Sequence, residues 1–380
     1  MESSRISDCL LIKPIVPGGK IVPPIGLWSI REASKEWPIR VIDMAMNPYL
    51  PEKHYAVIGF SLMFGSQVAA YKLLLPWAQR HSNAVMIGGN YGATMGGWQG
   101  EGEKAFDPLF VYEQSNCGKP LLDEIETYWE IDQPHDVTKT KRWFPIETSR
   151  GCTQACSFCT SHSFWGAWRP RYVSKVREDL LWLKEKRGIE ELLIEDDNIS
   201  LDPERFKQLI KIFKELNLWW STPNGLYLRS IIKRPDILNA MLYSRCWRCS
   251  LPIETANEET AKRMRLGNKW ITPKEAEKLT FILDYYNIEA CGFFIIGYPG
   301  ETEDDVKRTL ELASSLLLKE SHIQIAYPIK GTALYKECEA NGWLLDKEGG
   351  YTKAMINTPW LKAERVEELR KEYLTQRSKV

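Results

Sequence analysis

Ser149-Arg-Gly-Cys-Thr-Gln-Ala-Cys-Ser-Phe-Cys-Thr160 is the stretch on which the reading of this chain turns. Its cysteines, Cys152, Cys156 and Cys159, are spaced C-x3-C-x2-C. Three thiolates cannot fill the four-cysteine cage of an ordinary iron–sulfur protein, so a [4Fe–4S] cluster held here keeps one iron free of protein ligands. An iron left open in this way can chelate a small molecule. The competing readings are a zinc site and a chance group of buried thiols. Zinc normally takes four ligands in paired C-x2-C or Cys/His spacing, and no such partner follows at a suitable distance.

Outward from that run, the sequence alternates short apolar strands with amphipathic helices. Strands are expected at 144–148, 191–195, 219–223, 248–253, 290–296 and 322–326. Helices are expected at 173–186, 203–216, 235–243, 273–286 and 302–318, several opening on Pro at the first turn. Six βα units around one cysteine loop imply an incomplete TIM-type barrel with its site at the strand carboxyl ends. A last charged helix, 362–376, reads as packing or capping.

The cysteine run, with aromatic Phe158 just before the third cysteine, resembles the signature of the radical S-adenosylmethionine (radical SAM) superfamily. Further landmarks follow in the expected order. Glu195-Asp-Asp-Asn198 closes the second strand; Ile253-Glu-Thr255 resembles the family's fourth-strand element; Phe294-Ile-Ile-Gly-Tyr-Pro-Gly-Glu-Thr302 resembles its GxPGET turn. Tyr327-Pro-Ile-Lys-Gly-Thr332 resembles a later PxPGT element, with Lys330 in place of its proline. The resemblance implies that Cys152, Cys156 and Cys159 ligate the cluster and that the open iron binds the amino and carboxylate groups of SAM. It also implies SAM contacts from Phe158, Glu195 and Asp196, from Glu254 to the ribose hydroxyls, from Arg265 (or Arg263) to the carboxylate, and from the Gly297 strand to adenine. Cys246 and Cys249 form a C-x2-C, but residues three apart on a strand face opposite ways. They are expected to be structural thiols.

The first hundred residues have a β/α rhythm of their own, with strands expected at 8–13, 39–43, 56–61 and 84–88 and helices at 24–34 and 67–79. That alternation argues for a doubly wound parallel sheet. Such a domain ahead of a radical SAM barrel resembles the cobalamin-binding radical SAM class. The wider B12-binding family carries D-x-H-x-x-G, about forty residues, S-x-L and then a Gly-Gly pair. Here Pro14-Ile-Val-Pro-Gly-Gly19 stands first, forty-one residues separate Gly19 from Ser61-Leu62-Met63, and Gly88-Gly89 follows. Gly100-Glu101-Gly-Glu103 matches the GEGE that closes the domain in this class. Pro14 and Val16 replace the aspartate and the cobalt-ligating histidine, a loss common among the cobalamin-dependent methylases of the class. The resemblance places Val16, Gly19, Ser61, Leu62, Met63, Phe64, Gly88, Gly89 and Glu101 around cobalamin.

The expected fold class is therefore α/β: an N-terminal doubly wound, Rossmann-like B12-binding domain (1–106), a linker (107–141), a partial (β/α)6 TIM-type radical SAM barrel (142–345) and a C-terminal extension with a helix (346–380). Fifty basic residues balance fifty acidic ones, which gives no electrostatic case for nucleic acid or a membrane surface. No apolar run approaches membrane-spanning length, the first residues lack a signal-peptide pattern, and nine cysteines fit a reducing cytoplasm. The resemblance implies a cobalamin-dependent radical SAM C-methyltransferase with three cofactors: a [4Fe–4S] cluster, SAM and cobalamin. It uses one SAM to methylate cobalamin and a second to generate the 5′-deoxyadenosyl radical that activates an unactivated carbon. An anaerobic setting and a one-electron reductant such as ferredoxin or flavodoxin go with that chemistry. The substrate is open between a small metabolite, a peptide and a protein side chain such as a residue of methyl-coenzyme M reductase. Trp165, Trp168, Trp219 and Trp220 are candidates for a substrate wall. The alternatives are a cobalamin-associated radical SAM cyclase or rearrangement enzyme and, from another class, a cluster-containing cobalamin or redox sensor.

Overall fold

The computed structural model describes residues 9–13, 39–44, 50, 55, 57–61, 85–89, 143–345 and 352–377. The chain divides into two units, residues 1–145 with 182–188 and residues 146–181 with 189–380. Among the described residues of the first unit there are four strands, β1 (Cys9–Lys13), β2 (Ile39–Asp43), β3 (Val57–Ser61) and β4 (Val85–Gly89). They form a parallel sheet in the order β2-β1-β3-β4. The order reverses at β1, which has β2 on one side and β3 on the other. In doubly wound sheets that switch point is where ligands meet the carboxyl edge. Leu10, Ile12, Ile58 and Phe60 are buried on one face and Cys9 and Leu11 on the other, so β1 reads as an apolar run, as a sheet covered on both faces requires. The helices expected at 24–34 and 67–79 and the linker expected at 107–141 lie outside the described residues.

The second sheet has six strands in the order β12-β11-β10-β9-β8-β5. They are β5 (Trp143–Ile146), β8 (Glu191–Ile194), β9 (Trp219–Thr222), β10 (Cys246–Glu254), β11 (Glu289–Ile296) and β12 (Glu320–Ile325). The pairs from β8 through β12 are parallel. A two-stranded antiparallel ribbon, β6 (Ser149–Arg150) with β7 (Arg169–Pro170), interrupts the alternation after β5 and brackets the cysteine loop. The first helix, α1 (Ser161–Trp165), lies inside that ribbon, and α2 (Val173–Arg187) follows it. Then come α3 (Pro203–Glu215), α4 (Leu228–Lys233), α5 (Pro235–Leu242), α6 (Glu258–Arg263), α7 (Pro273–Tyr285), α8 (Glu303–Ser315), α9 (Ala333–Ala340) and α10 (Ala363–Arg377).

The helix ends are written in the local sequence. Asp202 caps α3 by accepting from the amides of Glu204 and Arg205, with Pro203 at the first position, where no amide is needed. Thr272 with Glu275 and Thr302 with Asp305 form capping boxes on α7 and α8. Just beyond α3 and α7, Asn217 (φ 55°) and Asn287 (φ 57°) take the left-handed conformation that turns the chain into β9 and β11.

Between sheet and helices, Trp220 is fully buried. It meets Phe206 and Phe213 of α3 at ring-centroid distances of 6.0 and 5.9 Å, and its Nε1 donates to Ser244 O at 3.0 Å. Trp219, one residue earlier, is 44% exposed at the amino end of β9, with the Arg245 guanidinium 5.1 Å from its ring. Neither tryptophan stands at the carboxyl edge: strand alternation sends one into the core and leaves the other at the far end, which corrects the reading of both as substrate-wall candidates. A second correction concerns Cys246 and Cys249. The register slips between Cys246 and Arg248, so Trp247 is an extra residue in the ladder. The slip brings both thiols to the same side, buried and within electrostatic reach of each other; the Cys246 thiol donates to Arg248 O at 3.8 Å, and burial pushes it well up. They are structural thiols, but not because they face apart.

The tail belongs to the second unit. Arg365 grips Glu303 through two hydrogen bonds of 3.0 and 2.8 Å, and Arg370 Nε donates to Ile323 O at 2.8 Å, which lays α10 over α8 and β12.

Because Trp220 fills the sheet–helix interface and bonds its indole nitrogen, Trp220→Ala is expected to lower unfolding stability by about 3–5 kcal/mol. Urea unfolding followed by circular dichroism measures this.

Candidate functional site

Between β6 and α1 the cysteine loop has no regular structure of its own. Cys156 is buried, and Cys152 and Cys159 are half-buried. The loop is held from outside. Asp196, at the carboxyl end of β8 and 2% exposed, accepts from Thr148 N (2.6 Å), Thr148 Oγ1 (2.6 Å) and Ser149 Oγ (2.5 Å). Burial pushes its carboxyl up, and the Ser149 and Thr148 bonds pull against that. Asp197 accepts from Gly151 N at 3.1 Å and Ser161 Oγ at 2.8 Å. The acidic cluster expected to face SAM therefore spends two of its carboxylates on the loop. Glu195 donates its amide to Ile146 O and sits half-buried beside them.

At the other end of the loop, Ser157 is tied three ways. Its amide donates to Met264 O (2.9 Å), its carbonyl accepts from Leu334 N (2.8 Å), and its hydroxyl pairs with Tyr298 Oη (2.7 Å). One residue between two cysteines thus meets the segment after α6, the Gly297–Gly300 turn and the start of α9. Phe158 packs, half-buried, against the core cluster of Cys156, Met264, Leu266, Tyr298 and Leu334. Thr332, from the PxPGT-like element, caps α9 by accepting from Tyr335 N.

Glu254 ends β10 with φ 67° directly after a register slip at Pro252. A left-handed glutamate at a strand end is held there by its surroundings rather than by its own preference. Its Oε1 accepts from Lys269 Nζ at 2.8 Å, and both side chains are buried. Burial pulls the Lys269 ammonium down, but Glu254 and the Cys156 and Cys159 thiols outweigh it and leave it raised. Burial likewise pushes the Cys156 thiol up to about 11, with Lys269 pulling the other way. Lys269 is thus a buried cation at the cysteines that motif reading missed. It lies in Gly-Asn-Lys269, fifteen residues past Glu254, and nothing in that tripeptide marks it. Arg263 donates to Pro299 O at 3.5 Å and fills the space where Gly300 (φ 90°) lacks a side chain, so it clamps the turn. Arg265 is exposed, at φ 56°. Gly297 takes φ 74° at the end of β11, where Val366 of α10 leaves no room for a Cβ.

In the first sheet Ser61 and Gly89 are register partners at the carboxyl ends of β3 and β4, with Gly88 beside Phe60 one step back. Sequence positions twenty-eight apart are thereby brought to one edge. Val16, Gly19, Leu62, Met63, Phe64 and Glu101 lie outside the described residues.

Residues 146–313 match the radical SAM superfamily. That segment is the part of the chain that is similar to the superfamily. Among curated proteins it is 31% identical over 254 residues to the cytidylyl-2-hydroxyethylphosphonate methyltransferase of Streptomyces wedmorensis, covering 62% of this chain and 46% of that one. It is 24% identical over 373 residues to the bacteriochlorophyllide d C-12(1)-methyltransferase of Chlorobaculum tepidum, covering 88% and 79%. The fold is shared with the radical SAM methyltransferase TsrM from Kitasatospora setae, solved with cobalamin and a [4Fe–4S] cluster bound: TM-score 0.63, 15% identity, 95% of this chain and 84% of that one. The chain therefore spans less than half of the first relative and most of the second.

A radical SAM domain implies a [4Fe–4S] cluster and SAM, and the loop suits the cluster. Gln154 N–H points at Cys152 Sγ (3.4 Å) and Ser161 N–H at Cys159 Sγ (3.5 Å). Amides aimed at sulfur stabilise thiolate ligands and tune a cluster. Among the described residues no three His, Cys, Asp or Glu side chains converge on a point for one metal ion. Cluster cysteines need not converge, since each takes a different iron.

Two consequences are measurable. Glu301 of the turn is 1% exposed, and burial pushes its carboxyl up to about 8 against the Tyr298 amide bond to Oε2 (2.9 Å). The folded state then holds a proton that the unfolded state loses near its ordinary value of 4.5. Stability is expected to fall as pH rises from about 4.5 to about 8. Glu301→Gln should flatten that slope in unfolding midpoints measured across the range. Separately, Lys269→Met leaves Glu254 buried and unpaired, with an expected loss of about 3–5 kcal/mol, whereas the double variant Lys269→Met/Glu254→Leu recovers most of it. A thermal-unfolding double-mutant cycle measures the difference.

Proposed function

We propose that the protein is a cobalamin-dependent radical SAM methyltransferase acting on a carbon atom of a small molecule, peptide or protein side chain. The observation that carries this reading is a three-cysteine loop at the carboxyl edge of a six-stranded parallel sheet, preceded in the same chain by a parallel sheet whose order reverses at β1. Methyltransferase relatives support it, including two whose names give a phosphonate and a bacteriochlorophyllide as the molecule methylated.

When bound, the cluster supplies an electron to SAM, and cobalamin supplies a carrier for the methyl group. The chain's own residues hold and shield these groups. Cys152, Cys156 and Cys159 each take one iron, and the ties to Asp196, Asp197 and Ser157 fix how far apart they stand. Lys269 and Glu254 offer a cation and a carboxylate to the SAM carboxylate and ribose hydroxyls. Arg265, Glu195 and the half-buried Phe158 would be further SAM contacts, and the Gly297 strand end a main-chain partner for adenine. At the other sheet, Ser61, Gly88 and Gly89 carry little or no side chain, which leaves the carboxyl edge open to a bulky cofactor. Gly19, Leu62, Met63, Phe64 and Glu101 complete that site on the family's pattern. Val16 offers no nitrogen where the wider B12 family has its histidine, so cobalamin would be held without an imidazole from that position. A ferredoxin- or flavodoxin-type reductant and an anaerobic cytoplasmic setting fit this chemistry. Among the described residues no helix is long and apolar enough to cross a membrane.

Anaerobic reconstitution with iron, sulfide and cobalamin tests the reading by absorbance and electron paramagnetic resonance. Cluster and base-off cobalamin together are expected, with 5′-deoxyadenosine formed from SAM and dithionite. Cys152→Ala, Cys156→Ala and Cys159→Ala should each abolish cluster absorbance and 5′-deoxyadenosine while still binding cobalamin. Turnover at the wild-type level in any of the three would sink the assignment.

A further inference from the structure

Asp197 is the one side chain among the described residues that reaches both ends of the cysteine loop. Its two carboxylate oxygens are divided between them, Oδ2 accepting from Gly151 N at 3.1 Å and Oδ1 from Ser161 Oγ at 2.8 Å. Gly151 immediately precedes Cys152, and Ser161 follows Cys159 by two residues. All three cysteines lie between the two anchors. Gly151 is itself in the left-handed region (φ 81°), and a Cβ there would crowd Ala167 O and Gly166 O, so the amide is turned towards Asp197 by a backbone that only glycine adopts at low cost.

The charge of Asp197 matters as much as its shape. Both of its donors are neutral groups, so neither cancels the carboxylate. Its neighbour Asp196, by contrast, has the Arg205 guanidinium within electrostatic reach, and Lys269 is matched by Glu254. Burial raises the Asp197 carboxyl, Ser161 and Gly151 lower it, and the carboxylate in turn acts on Cys152. Holding a half-buried carboxylate on two neutral hydrogen bonds is costly, and such groups concentrate where their charge is used.

We propose that Asp197 is a positioning residue for the cluster, closing the cysteine loop at both ends and placing a negative charge beside Cys152 that makes the reduced cluster a stronger one-electron donor. The proposal rests on the cluster reading above. A negative charge near the cluster opposes the arriving electron, which lowers the midpoint potential; that favours onward transfer to SAM, a poor electron acceptor. The clamp and the charge are separable by mutation. Asp197→Asn keeps the shape and removes the charge. Ser161→Ala keeps the charge and removes one anchor.

The experiment is an anaerobic redox titration of reconstituted full-length protein, read by the electron paramagnetic resonance signal of the reduced cluster, alongside iron and sulfide content and the rate of cluster loss to a chelator. Asp197→Asn is expected to load like wild type, with its midpoint shifted upwards. Ser161→Ala is expected to keep the wild-type midpoint and lose its cluster to chelator several-fold faster. An unchanged or lower midpoint in Asp197→Asn overturns the electrostatic half. Wild-type chelator resistance in Ser161→Ala overturns the clamp, and this arm stands even if Asp197→Asn takes up no cluster. A wild-type protein that loads no cluster would instead overturn the cluster assignment itself.

Discussion

The cysteine loop has to hold three thiolates at fixed separations without a helix or strand to hold them, and this constraint organises the rest of the barrel. A free loop of this length samples many conformations, and ordering it costs about 1–2 kcal/mol per residue of backbone entropy. The structure offsets that cost with hydrogen bonds that arrive from far along the chain. Asp196 and Asp197 reach it from the end of β8, Ser157 is met by Met264, Tyr298 and Leu334, and Cys156 and Phe158 are backed by a shared core. Each landmark segment of the barrel thus has a mechanical reason for its place. Acidic residues follow β8 because the loop's N–H and O–H donors need acceptors. Tyr298 stands in the Gly297–Gly300 turn because a hydroxyl is needed at Ser157.

A balanced overall charge conceals an uneven interior. Around the cysteines the chain buries Glu254, Asp196, Glu301 and most of Lys269, with Asp197 half-buried beside them, groups that seldom enter a core without partners. Apolar packing would serve stability at least as well as such pairs. Their concentration at one edge of one sheet is better explained by a site that handles charged ligands and electrons than by the needs of folding.

The strands and most helices of the barrel were legible because period, proline at the first helical turn and capping residues all agree: β8, β9, β11, α3 and α7 lie within a residue or so of where pattern places them. The cysteines were legible for a different reason, since their spacing encodes a ligand count. What pattern could not show was whatever depends on register or on distant pairing. The slip at Trp247 reverses the facing of Cys246. The division of labour inside Glu195-Asp-Asp-Asn198, with Asp196 and Asp197 turned to the loop, depends on which oxygens meet Thr148, Gly151 and Ser161. Lys269 is an ordinary lysine in an ordinary turn until β10 ends on a left-handed glutamate beside it. Trp219 and Trp220 differ by one residue and by everything that alternation implies.

The two ends of the barrel sheet are built on opposite terms, and the contrast bears on where chemistry can occur. At the amino ends of β10, β11 and β12, Arg248 bridges Glu289 (3.3 Å) and Glu320 (2.9 Å), with His322 Nε2 3.2 Å from Glu320. Four ionisable groups satisfy one another there in a partly exposed network of modest energetic weight, which presents little unspent chemistry. At the carboxyl ends stand the left-handed Glu254, Gly297 and Gly300, the cysteine loop and a carboxylate left on neutral donors. Backbone strain and a half-buried charge on neutral donors do not stabilise the fold itself, and parallel βα architecture makes room for them at the carboxyl end, where the loops lead away from the strands. The first sheet ends β3 and β4 on Ser61 and Gly89 at its own carboxyl edge. A protein using two bulky cofactors needs two such edges, and this chain has one in each half.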